Sequence, residues 1–263
     1  MNDPGPKKVI IIGVGNSGTK LLGELVWSLL KADGNQHYYY EPLYWSGVTG
    51  ETGIVHDDKA IAEHCSFPLL PDSGLTSWPW MDSFIDRLDG LAKFIRAGSR
   101  ARIFIDRKDV KYIWITRELY SYLGSMQQNF PRCLPDAGWH HRPGKYDDAD
   151  RLKCIYPEYA LGVREEHRIE LEAAWWHLHN SEMFKLLDRP NLVHVRYEDL
   201  CASAETMLEK LADFIGAENS LRGISEMVKT PANRNVSLSS RNVRIIEALA
   251  GKLNRSIYGN LPH

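Results

Sequence analysis

The apolar run Val9-Ile10-Ile11-Ile12 breaks off into GVGNSGTK, Gly13 to Lys20, and a helical stripe follows at once. This junction constrains the chain more than any other part of it. Four successive β-branched residues suit a strand buried on both faces. Behind the turn, Leu21, Leu22, Leu25, Val26, Leu29 and Leu30 recur at the spacing of one helical face. A strand, a glycine-rich turn and a helix in that order aim several backbone N–H groups and the positive helix end at one point. An anion binds there, and glycine lets it come close. Ser17 and Thr19 add hydroxyl donors and Lys20 a full charge.

The rest of the chain alternates short apolar runs with helical patterns. A helix is expected over 81–97, with Phe84, Ile85, Leu88, Leu91, Phe94 and Ile95 inward and Gly98 as its stop. RIFI at 102–105 and VKYIWIT at 110–116 read as buried strands, and LVHVRY at 192–197 as another. Glu165 to Leu187 reads as a long helix carrying Trp175, Trp176 and Phe184 in the core. Ser203 is the expected N-cap of a helix with Met207, Leu208, Leu211, Phe214 and Ile215 inward, closed by Gly216. A last helix is expected over 240–257. Strands separated by helices require crossover connections, so the pattern predicts an α/β fold. Its architecture is a central parallel sheet with helices on both faces, like that of P-loop nucleotide-binding proteins. Residues 1–263 form a single domain in this reading. The irregular segment 127–161, rich in Pro, Gly, His, Tyr and acidic residues, is expected to be a lid over the acceptor site.

Composition narrows the function. Lys and Arg number 32 against 34 Asp and Glu, so 32 − 34 gives a net charge of −2. A dedicated nucleic-acid binder would be basic. Hydrophobic residues at 43% and charged residues at 25% describe a globular chain rather than a disordered one. No apolar stretch approaches the roughly 20 residues that span a bilayer. Cys65, Cys133, Cys154 and Cys201 are scattered without a CxxC pair, which predicts reduced thiols and a cytoplasmic setting.

The kind of anion follows from the order of residues in the turn. The nucleoside-triphosphate loop GxxxxGK[ST] has the spacing of Gly13 to Gly18, but here Thr19 stands in the lysine slot and Lys20 in the hydroxyl slot. That exchange misplaces the charge for the β- and γ-phosphates and removes the hydroxyl that binds magnesium. A kinase remains an alternative, with IFID ending at Asp106 as its acidic strand. A nucleotide-binding module without activity is the other.

GVGNSGT resembles the first fingerprint of sulfotransferases that use 3′-phosphoadenylyl sulfate, a GxxxSGT loop after strand one. VKYIWITRELYSYLGS resembles their second, a strand ending in Arg with Ser eight residues on, here Arg117 and Ser125. VHVRYEDLCASAETMLEKLADFIG is similar to their RYEDL segment, so the likeness spans residues 9–216 in the family's order. It implies that Gly15, Asn16, Ser17, Gly18, Thr19 and Lys20 hold the 5′-phosphosulfate of the co-substrate while Arg117 and Ser125 hold its 3′-phosphate. An arginine fork beside a hydroxyl suits a phosphate on chemical grounds as well. The implied reaction moves a sulfuryl group to a hydroxyl or amine of a small-molecule or glycan acceptor and releases adenosine 3′,5′-bisphosphate, with no metal expected. At Asn16 the family usually has Lys or Arg. Lys20 is then the expected source of the missing positive charge.

A base must take the acceptor's proton. HYYYEPLYW at 37–45 offers Glu41, which matches the glutamate of a similar segment in carbohydrate-type sulfotransferases. His37, His56, His140 and His141 are its rivals. Arg196, Glu198 and Asp199 are expected to tie the strand at 192–197 to the helix after it.

Overall fold

The computed structural model describes residues 7–32, 37–40, 47–50, 53–56, 84–95, 97–129, 152, 154–157, 167–217, 226, 228 and 236–259. The lid expected over 127–161 lies mostly outside them.

Seven strands form one sheet in the order β4-β3-β2-β5-β1-β6-β7. The chain lays them down as β1 (Lys8–Gly13), β2 (His37–Tyr40), β3 (Gly47–Gly50), β4 (Gly53–His56), β5 (Gly90–Phe94), β6 (Val110–Thr116) and β7 (Leu192–Arg196). β2, β5, β1, β6 and β7 run parallel, and β3 and β4 add an antiparallel edge to β2. The expected parallel centre is therefore present, with helices on both faces.

β1 sits in the middle, and its alternate side chains face opposite layers. Val9 and Ile11 pack with Leu22, Leu25, Val26 and Leu29 of α1 (Thr19–Ala32) and with Leu208 and Leu211 of α5 (Ala204–Ile215). Ile10 and Ile12 pack the other way, with Phe84, Phe94, Tyr112, Trp114 and Met183. All four are fully buried, and each contributes about 1.5–3 kcal/mol by leaving water. A third cluster lies beyond the carboxyl edge of the sheet. It joins Val14 to Leu119, Leu123 and Met126 of α2 (Leu119–Asn129) and to Trp175 and Trp176 of α3 (Arg168–Phe184). The C-terminal helical run closes this cluster from outside. It comprises α6 (Ser240–Ile246), one π turn at Glu247–Gly251 and α7 (Lys252–Tyr258), close to the single helix expected there. A short helix, α4 (Tyr197–Ala202), links β7 to α5.

Two expectations are corrected. Residues 81–97 are not one helix: 84–87 are helical, the chain breaks at Leu88 and Asp89, and Gly90–Phe94 is strand β5 between β1 and β2. All five β5 residues are buried, so the strand carries no period of two, and its Leu91 and Phe94 happened to extend the helical spacing of Phe84 and Leu88. RIFI is not a strand either. Gly98–Ile103 is a 3-10 helix, Ile103 is exposed, and Phe104 turns inward, where its carbonyl accepts the Tyr112 hydroxyl at 2.6 Å. Ser203 stands at the N-cap of α5 without a side-chain cap bond, while Gly216 closes that helix at φ 70° as expected.

Candidate active site

The parallel strands deliver their carboxyl ends to one edge, where open α/β sheets bind ligands. β1 ends there at Gly13 and enters the loop. The Ser17 N–H donates to the Val14 carbonyl at 3.1 Å, and Asn16 (φ 64°) and Gly18 (φ 86°) both take left-handed backbone. Left-handed residues flanking Ser17 curl the loop into a concavity lined by N–H groups, a shape that binds anions. Ser17 is fully buried and its Oγ has no hydrogen-bond partner among the described residues. Such a group costs about 1–3 kcal/mol unless something supplies a bond. Thr19 is buried at the start of α1. Among the described residues, a methyl group at Gly15 would meet only Ile95, 3.9 Å away.

Arg117 follows β6 and turns to the same place. Its Nη1 donates to the Asn16 carbonyl at 3.3 Å. Trp176 and Tyr197 also hold it. Its carbonyl accepts from Trp176 Nε1 at 3.0 Å, its guanidinium lies 4.7 Å from the Tyr197 ring centre, and the residue is buried. The same ring fills the space beside Gly18, where a Cβ would stand 2.3 Å from Tyr197 Cδ2. Only glycine fits between this ring and this backbone. Ser125, about two helical turns beyond Arg117, is buried and its Oγ accepts from Asn129 Nδ2 at 3.3 Å. Asn129 Nδ2 also donates to Asn16 Oδ1 at 3.0 Å, and Asn16 Nδ2 donates to Met126 Sδ at 2.8 Å. The fold thus brings together the loop at Asn16–Thr19, Arg117 and Ser125.

Lys20 stands in the first turn of α1 with its side chain 66% exposed, 3.9 Å from Glu24 Oε1. Glu41, His140 and His141 lie outside the described residues, as does the side chain of His56. His37 begins β2 opposite Gly90, so it sits at the amino edge of the sheet, where its Nδ1 meets Asp89 Oδ2 at 2.8 Å.

Sequence reasoning passed over two neighbours of the site, Tyr197 and Asn129, and one buried cation, Lys93. Tyr197 ends the expected strand and belongs to the RYEDL segment, neither of which points to a place beside the loop. Asn129 sat at the start of a segment read as irregular. Lys93 is completely buried on β5, in register with Ile11, and was hidden inside the mistaken helix.

The supporting polar groups behave as expected of structural ties. Arg196 donates twice to Asp199, at 2.7 and 2.9 Å, and Glu198 accepts the Glu118 N–H at 3.1 Å. Glu118 in turn accepts from Ser121 N and Asn254 Nδ2, both at 2.8 Å. Burial raises the Glu198 carboxyl above its usual pKa. His194 stacks on Trp114 with ring centres 4.2 Å apart and meets Thr116 Oγ1 at 2.8 Å. Burial lowers its pKa to about 4. Asp106, the acidic strand end that a kinase would need, stands in a turn and pairs with Arg189 at 3.0 Å.

A family model described as sulfotransferase domain matches residues 6–240. No curated protein matches the chain. Among solved structures, the sulfotransferase domain of the Synechococcus PCC 7002 olefin synthase is 14% identical, with a TM-score of 0.43 over 100% of this chain and 98% of that one. Retinol dehydratase in complex with androsterone and the inactive cofactor PAP is 11% identical, with a TM-score of 0.47 over 98% and 83%. Mouse sulfotransferase SULT7A1 complexed with PAP is 13% identical, with a TM-score of 0.46 over 97% and 79%.

Proposed function

The chain belongs to the sulfotransferase domain family, whose enzymes move a sulfuryl group from 3′-phosphoadenylyl sulfate to an acceptor, and we propose that this donor lies between the loop at Gly13–Lys20 and Arg117. One observation carries the placement. Segments 101 residues apart meet at the 3.3 Å contact of Arg117 Nη1 with the Asn16 carbonyl, so an anion-binding loop and an arginine fork face one ligand. The donor carries phosphate at both ends of its ribose, which matches a site with two separate anion holders.

The residues present fit the group. The loop's backbone N–H groups other than that of Ser17, which bonds the Val14 carbonyl, and the hydroxyls of Ser17 and Thr19 receive the 5′-phosphosulfate, and the buried Ser17 Oγ gains a bond. Arg117 and Ser125 take the 3′-phosphate, which separates this donor from ATP. When bound, the donor supplies an activated sulfuryl group whose leaving group is a stable phosphate. The protein therefore has to align the partners and stabilise charge on the departing oxygen. Lys20, at the mouth of the loop, supplies positive charge to that oxygen by turning from Glu24. Glu41, one residue past the carboxyl end of β2, takes the acceptor's proton. The acceptor is a hydroxyl or amine on a small molecule or glycan. A cytoplasmic setting belongs to the same reading; among the described residues no helix is long and apolar enough to cross a membrane.

A thermal-shift comparison tests this reading. Adenosine 3′,5′-bisphosphate at 100 times its dissociation constant stabilises the fold by about 2.7 kcal/mol. Stabilisation by ATP–Mg²⁺ and not by the bisphosphate would return the kinase reading.

A further inference from the structure

We infer that Asn129 is a positioning residue of the donor site, coupling the 5′-phosphate loop to the hydroxyl that meets the 3′-phosphate. The inference rests on the donor placement above and adds a residue that neither fingerprint contains. Asn129 ends α2, four residues and one helical turn after Ser125. Its Nδ2 carries two hydrogens and reaches two acceptors, Asn16 Oδ1 at 3.0 Å and Ser125 Oγ at 3.3 Å.

Each bond sets something a phosphate would feel. A hydroxyl that accepts a hydrogen bond on its oxygen keeps its own proton for a further partner. A bond from Asn129 to the oxygen polarises the Ser125 O–H, which makes Ser125 a better donor to an anion. The second bond holds Asn16 by its side chain. Asn16 has left-handed backbone at φ 64°, and its carbonyl is the group that Arg117 touches. Fixing that side chain fixes the carbonyl, and with it the resting direction of the guanidinium.

The same geometry says what Asn16 does. Its Oδ1 accepts from Asn129 and its Nδ2 donates to Met126 Sδ. Both ends of the amide are engaged with α2. Asn16 therefore ties the loop to that helix, and a cation for the departing oxygen has to come from another residue.

Isothermal titration of the full chain with adenosine 3′,5′-bisphosphate tests the coupling through a double-mutant cycle. Asn129→Ala alone weakens binding about 5- to 10-fold, the size of one ordinary hydrogen bond. In a Ser125→Ala background the same change costs about 2- to 3-fold, because the polarised hydroxyl is already gone and only the hold on Asn16 remains to be lost. Asn129 is exposed at a helix end, so the variant folds, and an unchanged unfolding midpoint verifies this. Equal losses in both backgrounds, or no loss in either, overturn the inference. If the unmodified chain fails to bind the bisphosphate, the donor placement itself falls, a result distinct from either.

Discussion

Gly18→Ala puts the packing of the loop at Gly13–Lys20 to a quantitative test. Gly18 has φ 86°, and an alanine held there costs about 1–2 kcal/mol in backbone strain. The new Cβ would stand 2.3 Å from Tyr197 Cδ2 and 2.8 Å from Cε2, well inside ordinary contact. Pushing the ring aside is an overpacking problem of about 1–3 kcal/mol. The two costs together give a loss of about 2–5 kcal/mol. The ring that must move is also the one that faces Arg117 at 4.7 Å, so binding of adenosine 3′,5′-bisphosphate falls along with stability. Urea unfolding of four proteins separates the costs: wild type, Gly18→Ala, Tyr197→Ala and the double variant. In the Tyr197→Ala background the steric part disappears, and Gly18→Ala costs only the backbone share, about 1–2 kcal/mol. If Gly18→Ala costs the same in both backgrounds, the ring does not confine Gly18 and the close packing described here is wrong.

Four further outcomes can be measured. His194 is held near pKa 4 in the folded chain against 6.5 unfolded, so the unfolded chain binds the extra proton between those values. Stability is then complete above about pH 6.5 and falls by up to about 3 kcal/mol as the pH drops toward 4. A His194→Gln variant whose unfolding free energy keeps the same slope across pH 4–6.5 would refute this. Glu41→Gln lowers the sulfation rate about 10²-fold with donor affinity unchanged, and Lys20→Ala lowers turnover with little effect on bisphosphate binding. Normal turnover in either variant removes that residue from the chemistry. Turnover persists in EDTA, because the loop amides, hydroxyls and lysine supply the stabilisation; loss in EDTA with recovery on adding Mg²⁺ would contradict that.

Local sequence was enough wherever one segment carries its own signal. The strand–loop–helix unit at 8–32 has four β-branched residues, a glycine-rich turn and a six-residue apolar stripe in direct succession, and it folds as that succession dictates. β6, β7 and α5 were legible for the same reason. Ser17, Arg117 and Ser125 could be singled out too, because they sit at spacings set within their own segments, and the fold brings those segments together. Segment 88–95 was not legible, since a strand buried on both faces loses the alternation that distinguishes it from a helix. What only the tertiary structure decided are the contacts between distant segments. Tyr197 against Gly18, Arg117 against the Asn16 carbonyl, and Asn129 bridging Asn16 and Ser125 depend on how β6, β7 and α2 are set beside β1. No local pattern encodes those distances, because they arise when the layers pack and the sheet brings its strand ends to one edge.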